Sequence, residues 1–272
     1  MDSFVTALKD IKPIGGGDCP ELTFKGMIDA IDIGQPQDGS PMYVMTDASS
    51  KDASEENVAI VQQRALVNGF VINFFIFDHF CSRGDAVKAF QKIAQETSGQ
   101  VFRLKDETEL EQLTGLTAVS LGGSAVISNA AENTSFRKRR SVSNQKKSYS
   151  IPVDDSIDTL VISVTTDQSR KSANNWGVSL TSPSGILTGV SQKQLDKGTV
   201  YQIINPSVGV WNLEISNGNS VNYDYYAKAT SASNIDFEYY FVKRSRRGAL
   251  IPITNPVQGK LIWPSNYCYF RL

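Results

Sequence analysis

The chain has 272 residues, 40% hydrophobic and 20% charged, an ordinary composition for folded protein and enough length for about two domains. Its net charge of −1 conceals an asymmetry: residues 1–135 hold 19 acidic and 10 basic side chains, residues 136–272 hold 9 and 17, so the two halves present different surfaces. No apolar run is long enough to span a membrane, and the N-terminus MDSFVTALKD lacks the basic-then-apolar pattern of a secretory signal.

In chain order, residues 3–12 read as a short helix stopped by Pro13, and Gly15-Gly16-Gly17 as a sharp loop. Residues 21–33 follow as a helix whose Leu22, Met27, Ile28, Ile31 and Ile33 form a broad apolar face. After the turn-rich run GQPQDGSP comes a short apolar strand at 42–45, ending in Thr46-Asp47. Residues 54–68 predict a helix capped by Ser54, residues 70–77 a strand buried on both faces though interrupted by Asn73, and residues 85–97 a helix with Val87, Phe90 and Ile93 inward. A strand at 100–104 and a last helix at 107–116 complete an alternation of strands and helices, the pattern of a doubly wound parallel sheet.

Residues 122–150 are polar, small and basic, which reads as a flexible linker. From residue 151 the pattern is all-β: short strands at 159–165, 177–181, 200–204, 211–216, 223–230 and 237–242, separated by turn clusters such as Ser182-Pro183-Ser184-Gly185. These imply an antiparallel β-sandwich, Ig-like or jelly-roll-like, over 151–245, with Trp211 as a core plug. Residues 246–272 read as a tail, or the start of a further strand without a partner.

Two segments carry the chemistry. In an open parallel sheet, ligands gather at the carboxyl ends of the strands. Asp47 sits at such an end and Glu21 in a glycine-rich loop at a helix start, so both can share one rim. Carboxylate and hydroxyl oxygens are the ligands that Mg²⁺ and Ca²⁺ prefer.

GGGDCPE followed by an apolar strand ending in TDA resembles the von Willebrand factor A-type domains of the hemicentin group of extracellular matrix proteins, and the cation-site loop of integrin beta subunits. The likeness extends into the β-rich half through Gly209-Val210-Trp211 and Pro256-Val257-Gln258-Gly259. It implies a metal-ion-dependent adhesion site in which Glu21 is the second-loop ligand, Asp47 the third-loop carboxylate, and Asp18 a neighbour serving a secondary cation. The Asp-x-Ser-x-Ser element and the first strands of such a domain are expected upstream of Gly15, and the sequence does not contain them; Asp47-Ala48-Ser49-Ser50-Lys51 copies only the start of the motif. The resemblance therefore implies residues 1–121 as a partial A-type domain, a secreted location, and partners among extracellular matrix or cell-surface proteins. A cation-independent interaction module, secreted or intracellular, is the alternative.

The remaining features weigh against catalysis. His79 is the single histidine, beside Cys81, and no Gly-x-Ser-x-Gly element accompanies it. The glycine loop lacks the Lys-Ser/Thr of a phosphate-binding loop. Cys19, Cys81 and Cys268 lack zinc-site spacing; Cys19 and Cys81 both fall at the expected rim, which admits either a disulfide or two buried thiols. Arg137, Lys138, Arg139 and Arg140 read as a processing site, a contact for polyanionic glycans, or a solvated basic patch. Aromatic residues do not interleave with these basics, which argues against nucleic acid. Asn133-Thr134-Ser135 is a glycosylation sequon.

Overall fold

The computed structural model describes residues 19–81, 86–113, 125–132, 145–167, 176–217, 222–231, 238–244, 250–253 and 266–271, together with Thr6 and Lys9. The expected helix at 3–12 and the Gly15-Gly16-Gly17 loop therefore lie largely or wholly outside the described residues, as do Asp18, Asn133 and Arg137, Lys138, Arg139 and Arg140.

The first unit is α/β. Strands β1 (Pro41–Ala48), β2 (Val71–Cys81) and β3 (Val101–Leu104) run parallel in that order. Helix α1 (Thr23–Gly34) precedes β1, α2 (Glu55–Asn68) joins β1 to β2, α3 (Ala86–Glu96) joins β2 to β3, and a short helix α4 follows over 107–113. The start of α2 is the expected one: Ser54 accepts the Asn57 amide at 3.1 Å, and Glu55 and Glu56 occupy the first turn, where the helix dipole favours negative charge.

One sheet face is covered by the helices. Ile72, Phe74 and Ile76 of β2 pack on Phe24 of α1, Val61 of α2 and Phe90 of α3, with the Phe74 and Phe90 rings stacked at 4.8 Å. Asn73, the polar interruption in β2, accepts the Gln100 amide at 3.0 Å, so the residue that breaks the apolar run ties β2 to the start of β3. The chain leaves α3 through Ser98 at φ 57° and Gly99, where an added Cβ would lie 1.7 Å from the Ile72 carbonyl oxygen. Only glycine lets the backbone approach β2 this closely.

The second unit is the expected antiparallel sandwich. Its larger sheet runs β4 (Ala125–Glu132), β11 (Tyr223–Ser231), β6 (Ile157–Thr166), β9 (Gly198–Ile204), β8 (Val190–Leu195); its smaller sheet runs β5 (Gln145–Val153), β10 (Gly209–Asn217), β7 (Gly177–Thr181). Leu160, Ile162 and Val164 of β6 meet Trp211, Leu213 and Ile215 of β10 in the core between them. Trp211 is 1% exposed and its indole N–H donates to the Ser207 carbonyl at 2.9 Å, satisfying the polar end of the plug.

Two expected boundaries are corrected. The stretch 122–150 contributes strands at both ends: β4 pairs with β11, and β5 pairs with β10. Its polarity masked a period of two. In β5, Lys146, Ser148 and Ser150 are exposed while Tyr149, half-buried, and Ile151, fully buried, pack with the core. The exposed Lys146 meets Glu214 across the strands at 2.8 Å. The segment 246–272 is also not an unpartnered tail: β13 (Leu250–Ile253) and β14 (Asn266–Arg271) flank β12 (Glu238–Arg244) antiparallel in a separate three-stranded sheet, so β12 pairs there and not with the sandwich sheets. Backbone pairing across such sequence separations leaves no local signal. The polar edge strand β8 was likewise not anticipated, because its four middle residues are exposed and polar.

The central strands β11, β6 and β9 of the larger sandwich sheet are buried on both faces. Even-numbered residues of β6 enter the sandwich core; Val161, with Val200 and Leu195, packs instead on Phe75, Phe102, Leu104 and Leu113 of the first unit. Hydrogen bonds follow the same alternation: Ser163 Oγ donates to Gln100 Oε1 at 2.6 Å and Thr165 Oγ1 to the Val101 carbonyl at 3.0 Å. At the β3–α4 turn, Glu109 accepts the Lys105 amide at 2.7 Å and, from the β8–β9 turn, the Asp196 amide at 2.6 Å.

Candidate functional site: the carboxyl rim of the parallel sheet

The rim is built where β1 ends. The β1–β2 register shifts between Thr46 and Ala48, which places Asp47 at an irregularity in the ladder. Such bulges re-aim side chains and terminate pairing. Thr46 closes this one locally: its Oγ1 accepts the Ala48 amide at 3.1 Å and donates to the Ala48 carbonyl at 3.0 Å. The Asp47 side chain is exposed.

The loop carrying Glu21 is stitched to the segment that follows. The Glu21 amide donates to the Ser49 carbonyl at 2.8 Å, the Lys51 amide donates to the Glu21 carbonyl at 2.7 Å, and Glu21 forms a parallel bridge with Ser50. The structure thus brings Glu21, an exposed carboxylate, alongside the chain just beyond Asp47, as the strand-end argument required.

Asp52 organises this rim and was missed in the sequence. Helix α1 has no cap of its own, since Leu22 stands at its N-cap and no acidic residue lies in its first turn. Asp52 supplies the cap from another loop: Oδ1 accepts the Phe24 amide at 3.2 Å and Oδ2 the Lys25 amide at 2.7 Å, while Ser50 Oγ donates to Oδ1 at 2.5 Å. Both Asp52 oxygens are taken up by the fold, whereas the Glu21 and Asp47 side chains are exposed. Among the described residues no three acidic, histidine or cysteine side chains converge as a metal cluster. Ser49, two residues beyond Asp47, is fully buried and its hydroxyl has no hydrogen-bond partner.

Cys19, at the head of the Glu21 loop, is disulfide-bonded. On the β2 side, Cys81 stands opposite Ala48 in the register. His79 falls within β2.

The sequence pattern of the von Willebrand factor A domain matches residues 1–106, the span that contains this rim. Hemicentin-1 of Mus musculus is 25% identical in an alignment of 264 residues that covers 94% of this chain. Hemicentin-2 of Mus musculus is 32% identical over 114 residues, or 40% of this chain. The chain is thus similar to the hemicentins, and its first 106 residues match a von Willebrand factor A domain. It spans about 4% of the length of hemicentin-1 and 2% of hemicentin-2. Among solved structures, a von Willebrand factor type A protein from Catenulispora acidiphila is 15% identical and covers 86% of this chain and 43% of its own, with a TM-score of 0.33, too low to carry weight for fold or function. The A domain here has its β1–β3 sheet, its helices and its carboxyl rim in place, and it is followed by the docked sandwich.

Proposed function

We propose that this chain acts in extracellular matrix or cell adhesion, making protein–protein contacts at the carboxyl rim of its A domain and performing no catalysis. The observation that carries the reading is the placing of Glu21 and Asp47: one exposed carboxylate at the bulge that ends β1, the other in a loop hydrogen-bonded to the residues just beyond it. In this reading Glu21 and Asp47 hold Mg²⁺ or Ca²⁺. Two carboxylates are fewer oxygens than either cation takes, so water and an acidic group of the partner complete the shell, and the ion ties the two proteins together. Asp18 adds a carboxylate to the same loop, Cys19 pairs with Cys81 to fix that loop to the end of β2, and Asn133 carries a glycan in the secreted protein. The basic run Arg137, Lys138, Arg139 and Arg140 is open to processing or to polyanionic glycans.

Titrating Ca²⁺, Mg²⁺ and Mn²⁺ while following the melting temperature tests the reading. The expected result is a rise at millimolar metal that Glu21→Ala and Asp47→Ala each abolish; no shift in the parent chain sinks the cation.

The capture of both Asp52 oxygens by α1 supports a second reading, a cation-independent interaction module for which the A domain is a platform. Its mark is binding to a matrix or cell surface that survives chelation and the same two substitutions.

A further inference from the structure

The contact between the A domain and the sandwich contains a buried polar face. Along β11, Tyr223, Tyr225 and Ala227 enter the sandwich core, while Asp224, Tyr226 and Lys228 alternate with them and are each at most 2% exposed. Gln91 of α3 donates to Asp224 Oδ2 at 2.6 Å. The other polar atoms there are poorly served: Asp224 Oδ1, Tyr226 Oη, Arg103 Nε of β3 and Gln100 Nε2 are buried without a hydrogen-bond partner in the chain. Unsatisfied buried groups oppose association, while the apolar cluster around Phe75, Phe102, Val161 and Val200 favours it. The two tendencies set against each other make a contact that can open, as contacts between units of one chain commonly do.

Charge acts on the same face. Burial pushes the Asp224 carboxyl up to about 6, against the pull of Arg103 and the Gln91 hydrogen bond, and Asp167 pushes it the same way as burial. Burial also lowers the Arg103 guanidinium, which Asp224 and Asp167 draw back up. Lys228 is pushed down to about 8 by burial alone, and the Tyr226 phenol is raised by burial and by Asp224. Lys92 and Glu96 of α3 act on each other and are not among the groups that shift Asp224.

We propose that the A domain and the sandwich dock reversibly, with the ionisation of Asp224 setting how tightly: the protonated carboxyl closes the contact and the ionised one loosens it. The sign follows from linkage. The docked state holds the Asp224 proton more tightly than a solvent-exposed aspartate does, so docking strengthens as pH falls through the docked value. Lys228 works from the other side, its buried amine favouring docking once deprotonated above about pH 8. The contact is therefore loosest near neutral pH.

The Asp196 amide reports docking directly, since it donates across the contact to Glu109. Its hydrogen exchange, corrected for the intrinsic effect of pH, is to be followed by NMR on the whole chain. The linkage expression gives a protection about tenfold greater at pH 5.0 than at pH 7.5. Asp224→Asn is expected to reduce that difference to less than twofold, Glu96→Gln to leave it, and Lys228→Met to remove only the rise above pH 8. Equal protection at the two pH values in the parent chain would overturn the proposal, whatever the variants do. So would an undiminished difference in Asp224→Asn, or its loss in Glu96→Gln.

Discussion

The Asp52 carboxylate caps the helix that begins at Thr23, accepting the amide of Lys25, 27 residues earlier in the chain, at 2.7 Å. Since α1 starts without a cap of its own, the orientation of the Glu21 loop depends on this reach. Asp52→Ala is expected to cost about 1–2 kcal/mol in urea unfolding, in the range of lost N-caps, and Asp52→Asn less because one oxygen remains. A loss below about 0.3 kcal/mol would show that the loop is held by its bridge to Ser50 instead.

The disulfide at Cys19 is expected to close on Cys81. Peptide mapping of the unreduced protein should recover the two cysteines in one linked species and Cys268 as a thiol. A link from Cys19 to Cys268 would separate the Glu21 loop from the β2 end.

Two glycines should respond in opposite directions. Gly99→Ala places a methyl against the Ile72 carbonyl and is expected to destabilise by about 2–4 kcal/mol. Gly26 lies within α1 with nothing within 4 Å of an added Cβ, so Gly26→Ala should stabilise by about 0.5–1 kcal/mol. Chemical denaturation of the two variants checks both signs.

Glu96 gives a pH dependence separate from docking. Burial raises its carboxyl to about 7 from an ordinary 4.5, against the pull of Lys92. The folded state thus binds this proton more tightly than the unfolded state, and the stability tied to it is lost as pH rises between those values. Glu96→Gln should leave the melting temperature nearly unchanged at pH 4.5 and raise it at pH 8. A lower melting temperature at pH 8 would mean that the ionised form is bonded in the fold.

Glu109 joins the two units through backbone amides. Glu109→Ala leaves the Lys105 and Asp196 N–H groups without their acceptor and should cost about 1–3 kcal/mol. The loss should coincide with greater protease sensitivity at the β8–β9 turn; an unchanged cleavage pattern would restrict Glu109 to the turn after β3.

What the sequence by itself determined was everything written in local period and composition. The amphipathic spacing of α1 to α3, the apolar run of β2 and the Ser54 cap defined an α/β unit, and the strand-end position of Asp47 identified the rim. The Trp211, Leu213 and Ile215 alternation defined a sandwich. Only the tertiary structure decided which polar residues are structural. Asp52 reads as a solvated acid until α1 is placed over it, and Lys146 reads as linker until Glu214 stands opposite. The odd-numbered face of β6 and Asp224 of β11 read as solvent-facing until the A domain covers them. In each case the deciding partner lies far away in the chain, and a hydrogen bond or a buried contact across that distance leaves no periodicity to read.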